Sequence, residues 1–141
     1  MEVTEKFLKW LNENSLYKAI GIQVEEAAKG EARARLEPSP ALCWPFPGQP
    51  HGGVLFTLMD TTMACAVFSE LDPGYNCATI NTDIQYTSPA KGEVFTCFAR
   101  TIHRAGHLSF ARAEIHDSEG QFLAAGQAAF RIVKDESMAG L

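Results

Sequence analysis

Residues 52–69 read GGVLFTLMDTTMACAVFS, and the reading of this run decides the fold. Asp60 is its one formal charge. Val54, Leu55, Phe56, Leu58, Met59, Met63, Ala64, Ala66, Val67 and Phe68 leave no wide polar face at helical period, which predicts a helix enclosed by protein on nearly all sides. An ionised carboxylate in such surroundings costs several kcal/mol unless it is paired or hydrogen-bonded. Carboxylates are kept in apolar settings where chemistry needs a base or a nucleophile, so Asp60 is the first candidate catalytic residue.

The start of the run matters as much. His51, Gly52 and Gly53 follow a stretch holding Pro45, Pro47 and Pro50 that cannot itself be helical. Backbone N–H groups in the first turn of a helix lack internal partners and lie at the positive end of the dipole, and glycine lets a ligand approach them closely. The Gly52 N–H is therefore a candidate oxyanion donor. At about 1.5 Å rise per residue, Gly52 and Asp60 are separated by roughly 12 Å along the axis, so one substrate carbonyl cannot touch both. If both serve one reaction centre they come from different subunits, which predicts a homodimer with shared sites.

A chain of 141 residues with 46% hydrophobic composition is expected to form one domain with a proper core, spanning residues 1–141. The net charge of −5 argues against a nucleic-acid partner, because phosphate binding needs a basic surface. The start, MEVTEKFLKWLNEN, lacks the apolar core of a signal peptide. The Gly-Gly pair, Asp60 and the threonines speak against a membrane span at 52–69. Cys43, Cys65, Cys77 and Cys97 are scattered without CxxC spacing, which reads as buried thiols in a reducing cytoplasm. His103 and His107 stand four apart but flank a hairpin reversal, so no metal is expected.

Outward from the central helix, Val3 to Asn14 is predicted as a short amphipathic helix within 1–14, with Asn12 and Asn14 at a fraying end. Gly21 to Ala28 and Glu31 to Glu37 form a hairpin about Lys29-Gly30. Residues 38–50 form an ordered loop anchored by Trp44 and Phe46. After the helix come four antiparallel strands. The first is Asn76 to Ser88, with Ala78, Ile80, Ile84 and Tyr86 on a dry face and Thr79, Asn81, Asp83 and Gln85 opposite. Glu93 to Arg104, Leu108 to His116 and Gln121 to Val133 follow, separated by glycine-centred turns. Residues 134–141 are expected to be a frayed tail. One long helix with a sheet curled around it makes the fold class α+β.

HGGVLFTLMD at His51 to Asp60, TINTDIQYTSPAKG at Thr79 to Gly92, and the RAGH and DSEG turns resemble the hotdog-fold acyl-CoA thioesterases, in particular the phenylacetate-degradation (PaaI-like) branch. The likeness runs from about Ser15 to Val133. It implies hydrolysis of a coenzyme A thioester without a cofactor, with Asp60 activating water or attacking the thioester and the Gly52 N–H polarising its carbonyl. Thr79 matches a serine or threonine position that holds water or substrate, and His51 would orient the loop or the thioester. The family works as dimers paired through their sheets, often as tetramers, with Gly52 and Asp60 meeting across subunits. Members often carry asparagine six residues before the histidine, where this chain has Pro45, so that either Gln49 substitutes or the site works differently.

Gly53 and Gln49 join the candidates for substrate binding, and Lys91, Arg104 and His107 are candidate contacts for coenzyme A phosphates. Trp44, Phe46 and Phe68 are candidates to line an acyl pocket, which suits an aryl or medium-chain group. Two other functions compete. In hotdog dehydratases a catalytic histidine stands between the glycine and proline of the loop, and here Gln49 takes that place, which disfavours dehydration. An acyl-CoA-binding protein without turnover is the other, and it would bind ligand without releasing thiol.

Overall fold

A computed structural model describes residues 3–140; Met1, Glu2 and Leu141, the outermost positions of the expected domain and tail, lie outside the described residues. The elements run α1 (Glu5–Asn12), α2 (Ser15–Ile20), β1 (Ile22–Ala28), β2 (Glu31–Leu36), α3 (Gly52–Phe68), β3 (Tyr75–Tyr86), β4 (Phe95–Ala105), β5 (Leu108–Asp117) and β6 (Phe122–Lys134). The six strands form one antiparallel sheet in the order β1-β2-β4-β5-β6-β3. This is the expected α+β arrangement, a sheet wrapped around one long helix. The strands after α3 are not a simple meander, however. β3 pairs with β6 at the sheet edge, and residues 87–94 carry the chain from that edge to β4 in the middle.

Small residues let α3 sit close to the sheet. Ala34, Ala99, Ala111, Ala113 and Ala124 are buried, and the helix supplies Leu58, Met59, Met63 and Val67 to the same core. At Gly126 an added Cβ would collide with Met59 Sδ and lie 2.8 Å from Asp83 O, so only glycine fits where the helix crosses β6. Ser69 Oγ ties the far end of α3 to the β1–β2 turn, donating to Ala66 O at 2.7 Å and accepting from Gly30 N at 2.8 Å. Lys29 (φ 52°) and Gly30 (φ 81°) both take the left-handed conformation that a tight two-residue hairpin requires.

Four expectations change. The predicted fraying at Asn12 and Asn14 is absent. Asn14 caps α2 through Leu16 N, and the Asn12 side chain pairs with both backbone groups of Val24 on β1. The tail is partly ordered, because β6 runs to Lys134 and Asp135 caps a short 3-10 turn at Glu136–Met138. Trp44 and Phe46 are exposed rather than anchored, since the loop folds on itself through Trp44 N to Gln49 O at 2.9 Å and a bridge from Cys43 to Pro50. The dry face of β3 is also broken. A bulge between Thr79 and Asn81 inserts Ile80, which leaves Ile80 55% exposed while Ile84 packs against the core.

Candidate active site

Helix α3 is enclosed on all faces but one, in keeping with the expected enclosure on nearly all sides. Gly53, Phe56, Thr57, Asp60 and Ala64 form an exposed to half-buried stripe at helical spacing, and every other position from Val54 to Ser69 is buried. The single carboxylate of the helix thus stands on its single open face, beside edge strand β3. Thr79 Oγ1 and Thr82 Oγ1 each donate to Asp60 Oδ1 at 3.0 Å. Thr79 was legible in the sequence as a candidate. Thr82 was not, because uninterrupted alternation puts residues three apart on opposite faces and only the bulge brings both to the helix side.

Two groups near Asp60 are held in their neutral forms. Burial, and after it the Asp60 charge, pushes the Cys77 thiol up to about 12, and Cys77 donates to Ala64 O at 3.6 Å. A thiol so placed is not a nucleophile at neutral pH. Burial also raises the Tyr17 phenol, with smaller contributions in the same direction from Cys65 and Asp60.

A second cluster forms where α3 begins. His51 is the N-cap, and its Nδ1 accepts from Gly53 N at 2.9 Å. Its ring lies 4.7 Å from that of Trp44. The Gly53 N–H is therefore occupied, and among the described residues the Gly52 N–H has no acceptor. Tyr86 Oη donates to Gly52 O at 2.7 Å, fastening the helix start to the end of β3. This contact was missed because Tyr86 reads as one more apolar strand residue. Gln49 is half-buried in the preceding loop, and Gly92 N bonds Gly48 O at 2.8 Å, which brings the Lys91 loop to the same end.

Arg104 and His107 do not join that cluster. Their hairpin continues into Leu108, which pairs with Arg131, itself the partner of Ala78 on β3. Tyr86 and the helix start lie at the other end of that strand. One chain thus holds Asp60 with Thr79 near the middle of β3, His51, Gly52, Gly53, Gln49 and Lys91 at one end, and Arg104 with His107 at the other. Phe68 is no pocket residue, being buried and stacked on Phe7 with ring centroids 4.9 Å apart. A groove of about 730 Å³ lies elsewhere, against Phe98, Arg100 and Arg112 and the start of α1. Among the described residues no helix is long and apolar enough to cross a membrane.

Comparison with known proteins agrees with this architecture. Residues 48–124 match the thioesterase superfamily. A protein of Halobacterium salinarum, provisionally named as an esterase, is 30% identical over 136 residues, 90% of each chain. The solved structure of a thioesterase from Haemophilus influenzae superimposes with a TM-score of 0.84 at 20% identity, covering 93% of this chain and 91% of that one. The Escherichia coli PaaI protein of the phenylacetic acid degradation operon does so with a TM-score of 0.79 at 21% identity, covering 90% of each. The two structural likenesses are likenesses of fold, whereas the match over residues 48–124 is one of sequence and spans the whole helix with its histidine, glycines and aspartate. The chain belongs to the thioesterase superfamily of hotdog-fold proteins.

Proposed function

We propose that the protein hydrolyses acyl-CoA thioesters to a free acid and coenzyme A. The observation that supports this best is Asp60, a lone carboxylate on the open stripe of an otherwise buried helix, with two hydroxyls on one of its oxygens. Thioesters are activated acyl groups, so a base or nucleophile with a positioned N–H donor suffices, without a serine triad. Asp60 supplies the carboxylate and the Gly52 N–H the oxyanion donor. His51 acts by capping Gly53, which leaves Gly52 as the outward donor. The half-buried Gln49 stands in the same folded loop as Pro45, its backbone carbonyl accepting from Trp44 N, and is the amide offered in place of the one Pro45 lacks.

The site is completed by a second copy. Edge strand β3 pairs antiparallel with itself across a two-fold axis, which closes the open stripe of α3 and brings the Asp60 of one copy toward the Gly52 of the other. The same operation sets the beginning of one β3 beside the end of the next. Arg104 and His107 of one subunit then approach the Lys91 end of the other, where the coenzyme A phosphates lie.

Thiol release from a panel of aromatic and aliphatic acyl-CoAs tests the reading, with wild type and Asp60→Asn side by side. Wild-type release that falls by roughly 10²- to 10⁴-fold in the variant supports it, the range expected for loss of a general base. Binding without release from any substrate would replace it with the acyl-CoA-binding reading, and an undiminished Asp60→Asn would remove Asp60 from the chemistry.

A further inference from the structure

Two threonines three residues apart cannot share a face of a regular strand, yet Thr79 and Thr82 both reach Asp60 from β3. The bulge makes this possible. Thr79 pairs with Phe130 and Asn81 with Ala129, so Ile80 is the extra residue, and the alternation changes phase between the two hydroxyls. Both donate to the same atom, Oδ1, each at 3.0 Å. An ionised carboxylate has about four acceptor positions shared over two oxygens, so paired donors on one oxygen distinguish the two. Thr79 is exposed, whereas Thr82 is half-buried and closed in by the strand. Of the two hydroxyls, that of Thr82 is the less accessible to substrate and the better fixed.

We propose that Thr82 is a positioning residue for the hydrolysis: with Thr79 it holds Oδ1 and thereby presents Oδ2 as the reacting oxygen of Asp60. This rests on the thioesterase reading above. With Asp60 as base, Oδ2 takes a proton from water as the water oxygen bonds to the thioester carbon. The C–S bond then breaks, and the proton passes from Oδ2 to the departing coenzyme A sulfur. A carboxylate free to rotate about its Cβ–Cγ bond offers either oxygen at either angle, and loss of that orientation is felt in turnover rather than in substrate affinity. Thr82 touches neither water nor thioester in this scheme. It acts through Asp60.

The test is steady-state thiol release by wild type, Thr82→Val, Thr82→Ser and Asp60→Asn, and by Thr82→Val combined with Asp60→Asn. Valine keeps the β-branched shape that the strand favours, and serine keeps the hydroxyl. Thr82→Val is expected to lower kcat roughly 10- to 100-fold with little change in KM, as for loss of one hydrogen bond to a charged group. Serine should restore most of it. In the Asp60→Asn background the valine substitution should change the residual rate by less than about twofold, because two residues acting through one group are not additive.

Wild-type turnover that depends on Asp60 but is indifferent to Thr82→Val would overturn this inference and leave the thioesterase reading standing. So would a loss that serine does not restore, or one that persists in the Asp60→Asn background, since either marks a merely structural threonine. No turnover by the wild type would overturn both.

Discussion

The two edges of the sheet are treated in opposite ways. At β1 the edge is closed: Asn12 Nδ2 donates to Val24 O at 2.9 Å, Asn12 Oδ1 accepts from Val24 N at 2.8 Å, and a bulge follows between Val24 and Glu26. One side chain imitates the strand that would otherwise pair there, and the bulge twists the remainder away. At β3 the edge is a 12-residue strand with, among the described residues, no further strand beside it. Ile80, at its middle, is 55% exposed, and Phe56 is exposed on the neighbouring stripe of α3. Long open edges invite pairing, and the chain guards one edge while the longer one stands open next to the lone carboxylate of α3, which fits the pairing proposed there. The contrast supports β3 as the edge at which the proposed second copy pairs.

The largest effect expected from this contrast is subunit complementation. Gly52 is the first residue of α3, and His51 before it has ψ of 143°, so Gly52→Pro removes the N–H at the one helical position where proline is well tolerated. Asp60→Asn and Gly52→Pro homodimers should each be inactive. Unfolded together and refolded as a mixture, they should regain about a quarter of wild-type activity, because half the dimers are mixed and each of those has one intact site. A mixture as inactive as its components would mean that Asp60 and Gly52 do not act across the edge. A smaller effect is expected from Ile80→Lys, which sets two like charges near the two-fold axis. Sedimentation should show association weakened roughly tenfold or more, with activity falling in proportion to the dimer lost. The isolated subunit should keep its thermal stability, because Ile80 is exposed there.

How far the sequence could be read follows the same division. The central helix, the β1–β2 hairpin and the strands β4 to β6 were legible because each is a periodic run bounded by glycine or proline, and a local pattern suffices. Asp60, His51 and Gly52 were legible as one charge in an apolar run and a helix start after prolines. The edges were not. Asn12 reads as a weak helix former at a fraying end, and its bond to Val24 spans 12 residues of sequence with no local trace. Ile80 reads as one more alternating apolar residue, and the bulge that shifts it is set by pairing with β6, remote in the chain. Thr82 was lost with it, since regular alternation puts Thr79 and Thr82 on opposite faces, and Tyr86 because it reads as one more apolar residue of the strand. In the proposed dimer, the meeting of Lys91 with Arg104 and His107 depends on a partner that one chain's pattern does not describe.

The smallest effect concerns the guarded edge. Asn12→Ala removes a side chain that satisfies both backbone groups of Val24; Val24 is buried, but Asn12 itself is only half-buried, so its loss admits water to those groups. The cost is then near the net worth of two hydrogen bonds, about 1–3 kcal/mol, well short of that of two orphaned buried groups. Thermal unfolding should report a modest fall in stability while thiol release per folded molecule stays at the wild-type level, because β1 lies at the opposite edge from Asp60. The more telling readout is association. An unguarded β1 is a second open edge on the same sheet, and a molecule with two open edges can chain head to tail where one with a single open edge stops at two copies. Concentration-dependent growth beyond the wild-type assembly is therefore expected of Asn12→Ala and should be absent from Asn12→Ala combined with Ile80→Lys at matched concentration. Growth that survives the double substitution would show that the edges are not what limits assembly, and the contrast between them would lose its meaning.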